Sequence, residues 1–179
     1  NMLQPHMESY VRQIVRTCHK RGIHAMGGMS AFIPSKDEGE NDSIMARIRD
    51  DKMLEIVRGC DGAWVAHPAL IEPVQSLFMD AFGYADHQKH AMCEEVTSAS
   101  LYPHEDKGPH TQVDNNIDVA IQYVTAWLSG NGAVAIDGLM EDLATAEISA
   151  SQLRNWCQHD IITSDRVTDA LCGADPRVR

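Results

Sequence analysis

Glu141 and Asp142 stand side by side in "GLMEDLATAEIS" (138–149), after the apolar pair Leu139-Met140 and before a run of small helix formers. Two readings fit. Acidic residues in the first turn of a helix complement its dipole and need no further role. A carboxylate at a helix start that faces a cleft can also act as a general base, with Leu139 and Met140 limiting its solvation. A second stretch, "HAMGGMSAFIP" (24–34), combines two glycines with two methionines. Glycines let a backbone approach a ligand closely, but a tight turn with core methionines needs the same residues. In a third, "DGAWVAHPALIEP" (61–73), Trp64, His67 and Pro68 follow a short apolar run. A packed tryptophan and a histidine satisfied by backbone would explain that stretch alone. Nine histidines and five cysteines include no Cys/His pairs at ligand spacing, so no zinc site is expected. Asp37, Glu38 and Glu40 form a carboxylate cluster in a polar loop and read as solvated, so no metal ligand is assigned.

The elements that must position these residues follow from periodicity. Met7, Tyr10, Val11, Ile14, Val15 and Cys18 form one helical stripe over 7–20, which Gly22 ends. "IHAMGG" (23–28) reads as a buried strand ending at a tight turn. Asn41, Asp42 or Ser43 can cap a helix reaching Arg58, with Ile44, Met45, Ile48 and Leu54 inward. "AWVAH" (63–67) reads as a second strand, and "ALIEPVQSLFMDAFG" as an amphipathic helix closed by Gly83. This alternation predicts α/β units with parallel pairing, whose functional loops gather at the carboxyl ends of the strands. Residues 84–112 read as a connector. From 113 onward, "VDNNIDVAIQYVTAWLSGNG", "EDLATAEISASQLRNWC" and "TSDRVTDALCG" read as helices, with Val113, Ile117, Ala120, Ile121, Val124, Trp127 and Leu128 on one face of the first. No strand is expected after about residue 136, so the class is α/β followed by all-α.

Composition narrows the function classes. The 179 residues carry a formal net charge of −11, which argues against a nucleic-acid partner. No run of eighteen apolar residues occurs, so no membrane-spanning helix is expected, and "NMLQPHMESY" is not a secretory signal. Five scattered cysteines without a CxxC read as reduced thiols. A start at Asn1 rather than Met suggests a processed, trimmed or partial chain.

Taken together, "TCHKRGIHAMGGMSAFIPSK", "CDGAWVAHPALI", "IQYVTAWLSGNG" and "GLMEDLATAEISASQL" resemble malate synthases in content and order, from about residue 8 to about 158 apart from the connector. The resemblance implies a TIM (β/α)8 barrel followed by a helical cap. Residues 1–83 correspond to the last barrel units, with strands near 23–27 and 62–66. Residues 113–179 correspond to an incomplete helical C-terminal domain. It implies a condensation of acetyl-CoA with glyoxylate and thioester hydrolysis to malate and CoA, the reaction of the glyoxylate cycle. Asp142 falls on the family's proton-abstracting carboxylate, and Glu141 is left a helix-start or hydrogen-bonding role. Met29, Trp64, Pro68 and Met140 fall where the family lines the passage for the acetyl-pantetheine arm. A narrow apolar passage excludes water from an enolate and aligns the methyl group with the base.

The same resemblance implies Mg²⁺, but the family's metal-binding glutamate and aspartate and its enolate-stabilising arginine come from earlier barrel strands, outside this chain. Ala133, Ala135 and Asp118 stand where the family commonly has cysteine, proline and arginine. Two parallel strands cannot close a barrel and leave open edges, so the chain is expected to need an upstream portion. The alternative is an inactive truncated chain that binds at most CoA or a complementary chain. The compartment expected is the cytoplasm or a peroxisome-like (glyoxysomal) organelle, without secretion.

Overall fold

A computed structural model describes residues 2–91, 94–102 and 112–173. The chain divides into two compact units, residues 1–106 and 107–179, and each is described by itself. Residues 103–111 of the connector, as well as Cys93, lie outside the described residues.

In the first unit, α1 (Pro5–Lys20) leads to β1 (Met26–Ser30), α2 (Glu38–Val57), β2 (Gly62–Val65), a 3-10 turn (Pro68–Leu70) and α3 (Ile71–Phe82). A second 3-10 turn covers Ser98–Leu101. Proline at the start of α1 suits a position whose N–H has no helical partner. Helix α2 begins earlier than expected. Asp37, not a residue of 41–43, is its N-cap, and its carboxylate accepts from the Glu40 N–H at 2.9 Å. Glu38 and Glu40 therefore sit in the first turn of a helix, exposed as expected, rather than in a loop.

The β1 and β2 strands pair in parallel, as the alternation of elements predicts. Ile48, Ile56, Leu70, Val74 and Phe78 form the core where α2 and α3 cover them. The described residues hold this two-stranded sheet and no closed barrel. Strand β1 departs from expectation: Gly27 and Gly28 lie inside it rather than in a turn at its end. Its physical cause is a side chain from α2, described below.

The second unit is mainly helical, with α4 (Gln112–Leu128), α5 (Leu143–Gln158) and α6 (Ser164–Cys172). The all-α expectation is corrected by an antiparallel hairpin, β3 (Val134–Ile136) and β4 (Leu139–Glu141). Its two-residue turn is Asp137-Gly138, both at positive φ (49° and 77°), the geometry that matches the twist of paired strands. Ile136 buries against Val119, Tyr123 and Ala146, fixing the hairpin on α4 and α5. Tyr123, absent from the expected apolar face of α4, is buried there and donates its hydroxyl to the Gly132 carbonyl at 3.0 Å. Trp127, expected inward, is exposed. Val113, Ile117, Leu153 and Ile162 form a second cluster between the helices.

Candidate functional site

Strand pleating decides which residues of the first unit can meet a ligand. Met29 pairs with Trp64 and Ser30 with Val65, and successive side chains point to opposite faces. Ser30 is buried, while Ala63 and Val65 pack against the α2–α3 core. The other face holds Met29, 45% exposed, and Trp64, 64% exposed. Neither residue is a core residue in this unit, so the packing explanation open to the sequence does not describe them. Pro68 is exposed and opens the 3-10 turn beyond the carboxyl end of β2. His67 caps that turn: its Nδ1 accepts from the Ala69 N–H at 3.1 Å, a histidine satisfied by backbone.

In the second unit the two acidic residues take different structural positions. Glu141 ends β4 and is half-buried, accepting from the Thr145 hydroxyl. Asp142 follows as the N-cap of α5, with extended backbone, and its Oδ1 accepts from the Ala144 N–H at 2.9 Å. Among the described residues no partner engages its second oxygen. Asp142 is exposed, so Leu139 and Met140, both half-buried, do not shield it within this unit. Met140 lies two residues before it, opposite Ala135 in the hairpin. The structure thus brings Met29 against Trp64 in one unit and holds Met140 near Asp142 in the other.

Residues 1–102 match the family described as "Malate synthase, TIM barrel domain", and residues 108–173 match "Malate synthase, C-terminal". The chain belongs to the malate synthase family. It is 44% identical over 176 residues to Malate synthase A of Escherichia coli (strain K12), covering 95% of this chain and 33% of that protein. Identity to Malate synthase of Streptomyces clavuligerus is also 44%, over 178 residues, with the same coverage. A glyoxysomal malate synthase of Ricinus communis is 42% identical over 167 residues, covering 89% of this chain and 29% of the relative. The chain spans about a third of the length of the curated relatives it matches.

Two buried polar clusters hold the first sheet, and sequence reasoning missed both. Lys52 is fully buried on α2, with Nζ 3.1 Å from both Glu55 oxygens and 3.0 Å from Asp51. The same ammonium donates to the Gly28 carbonyl at 2.8 Å. Burial pushes the Glu55 carboxyl above its ordinary value, and Lys52 opposes this only in part. In the second cluster Asp61 accepts from the Ala25 N–H at 2.7 Å, the Gln88 N–H at 2.7 Å and His19 Nε2 at 2.8 Å. Burial alone would raise the Asp61 carboxyl, but these hydrogen bonds outweigh it and hold it below its ordinary value. The signal for the first cluster was a Lys-x-x-Glu pair, i and i+3, on a helix whose neighbouring positions are apolar. Nothing local marked His19 or Asp61.

Among the described residues no group of three or more His, Cys, Asp or Glu side chains could hold a metal ion. They do not fit Mg²⁺, including Asp37, Glu38 and Glu40. Cys18 and Cys157 are free thiols.

Proposed function

We propose that the protein carrying this chain condenses acetyl-CoA with glyoxylate and hydrolyses the product thioester to malate and CoA, with Asp142 as the base. One observation carries the assignment of the base. Asp142 is exposed at the head of α5, with one oxygen held by the Ala144 N–H and the other without a partner among the described residues. An oriented carboxylate with one free oxygen can take a proton from a bound methyl group. Asp142 removes that proton, and the enolate carbon forms a bond to the aldehyde carbon of glyoxylate. The displaced carbonyl electron pair goes to the glyoxylate oxygen, which becomes the malate hydroxyl after protonation. Water then adds to the thioester carbonyl, the C–S bond breaks, and CoA leaves as the thiol.

Met29 and Trp64, adjacent and exposed, and Pro68 in the first unit are assigned to the acetyl-pantetheine arm on the family resemblance, as is Met140 in the second unit. Residues 1–83 supply the last units of a TIM barrel, 84–112 connect, and 113–179 begin the C-terminal domain; the matches support a barrel part followed by a C-terminal part, although the barrel match runs to residue 102, beyond the bound at 83. Mg²⁺, if bound, would supply polarisation of glyoxylate, and the family resemblance implies that residues outside this chain would hold it. The compartment is the cytoplasm or a glyoxysome, and a glyoxysomal relative supports the second.

The test is Asp142→Asn in the full polypeptide that carries this sequence. The asparagine carbonyl still accepts the Ala144 N–H, so the cap and acetyl-CoA affinity stay while turnover falls about 100-fold or more. Unchanged turnover would remove Asp142 from the base role. A wild-type protein that binds acetyl-CoA without turnover would establish the inactive binder instead.

A further inference from the structure

The β1 strand advances three residues from Met26 to Met29 while β2 advances only two from Gly62 to Trp64. One extra residue is therefore accommodated in β1, a bulge that takes backbone groups out of the ladder. Both polar groups of Gly28 are taken instead by α2. Its N–H donates to Glu55 Oε1 at 2.8 Å, and its carbonyl accepts from Lys52 Nζ at 2.8 Å. Gly27 makes room for this: a Cβ there would lie 2.2 Å from Glu55 Oε2. Glu55 is 13% and Lys52 0% exposed at the side chain, so both reach the exposed Gly28 from largely buried positions, where a polar group left without its partner is costly.

We infer that Glu55 and Lys52 are positioning residues: they clamp Gly28 in the β1 bulge and so set Met29 against Trp64. Resting on the proposed function, this assigns the pair the task of shaping the acetyl-CoA passage from behind the strand, without touching the ligand. A register change of one residue in a strand sends each side chain to the opposite face. Loss of the bulge would turn Met29 toward the core and Ser30 toward Trp64. The clamp is therefore a determinant of passage shape and not only of stability.

A purely electrostatic role, neutralising buried Lys52, makes a different prediction from a clamp. Glu55→Asp keeps the charge but is one methylene too short to hold Gly28. The double variant Lys52→Met with Glu55→Gln leaves no buried cation and gives up the Lys52 donor, but it keeps the acceptor for the Gly28 N–H, so exchange of that N–H reads the Glu55 half of the clamp by itself. In the full polypeptide, hydrogen exchange at Gly28 and acetyl-CoA affinity are measured for both. The clamp predicts that Glu55→Asp speeds Gly28 exchange about tenfold or more and weakens acetyl-CoA binding by a similar factor, while the double variant retains protection. Wild-type exchange in Glu55→Asp, or equally fast exchange in both variants, overturns the inference. If the wild-type protein does not bind acetyl-CoA, the functional reading fails, and Gly28 exchange still decides the clamp.

Discussion

Asp142 is both a helix cap and the proposed base, and its two oxygens separate the roles. Asp142→Ala removes the acceptor for Ala144 and should destabilise the second unit by about 1 kcal/mol, whereas Asp142→Asn should not. Chemical denaturation of the two variants checks this; equal stability would mean that the Ala144 contact contributes nothing. Gly27 shows a different kind of constraint. Its φ is unremarkable, yet a methyl group would meet the Glu55 carboxylate from α2. Gly27→Ala should destabilise by about 1–3 kcal/mol, as overpacking does, because the carboxylate must leave Gly28 to admit it. Thermal unfolding decides it, and a neutral result would show that Glu55 relocates freely.

At the scale of elements, the hairpin is held by its turn and by one packed face. Gly138 adopts φ 77°, and a Cβ there would meet nothing within 4 Å, so backbone conformation and not space restricts it. Gly138→Val should destabilise by about 1–2 kcal/mol, the cost of a branched residue in the left-handed region. Denaturant midpoints test it, and an unchanged value would mean the turn rearranges at no cost. Tyr123→Phe should lose about 1 kcal/mol through the Gly132 carbonyl left without its donor. The hairpin was legible in principle: Asp-Gly between "VAI" and "LM" is a strong short-range turn signal. The helical pattern on either side concealed it, since three-residue strands carry little periodicity of their own. Helices α1, α3, α5 and α6 were legible because their apolar residues repeat at helical spacing.

Across the whole molecule, the two buried carboxylates give stability a two-sided dependence on pH. Glu55 has a folded pKa above its ordinary 4.5. Its contribution is fully present below that value and is lost as pH rises through the folded pKa. Asp61 has a folded pKa below its ordinary 3.8. Its contribution is present above that value and is lost as pH falls through the folded pKa. Acidifying from neutral should thus first relieve Glu55 and then, below the ordinary Asp61 value, cost the His19–Asp61 hub. Denaturation curves across this range for wild type, Glu55→Gln and Asp61→Asn test the assignment. Glu55→Gln should remove the first change and Asp61→Asn the second; curves parallel to wild type would show that other groups dominate.

By itself the sequence determined the family, through four motifs in one order, and the alternation of helix and strand in the first unit. It also determined where the acidic pair meets a helix. These are local properties, written in residue spacing within one or two turns of chain. Tertiary structure alone decided that Trp64 and Met29 share an exposed face and that Gly27-Gly28 lies inside a strand. It also decided that Lys52 and Asp61 are buried among partners. Each depends on residues far apart in sequence: Glu55 reaches Gly28 across 27 positions, and Asp61 reaches His19 across 42. A buried charge is stable only beside its partners, and no spacing rule along one chain segment names partners that distant.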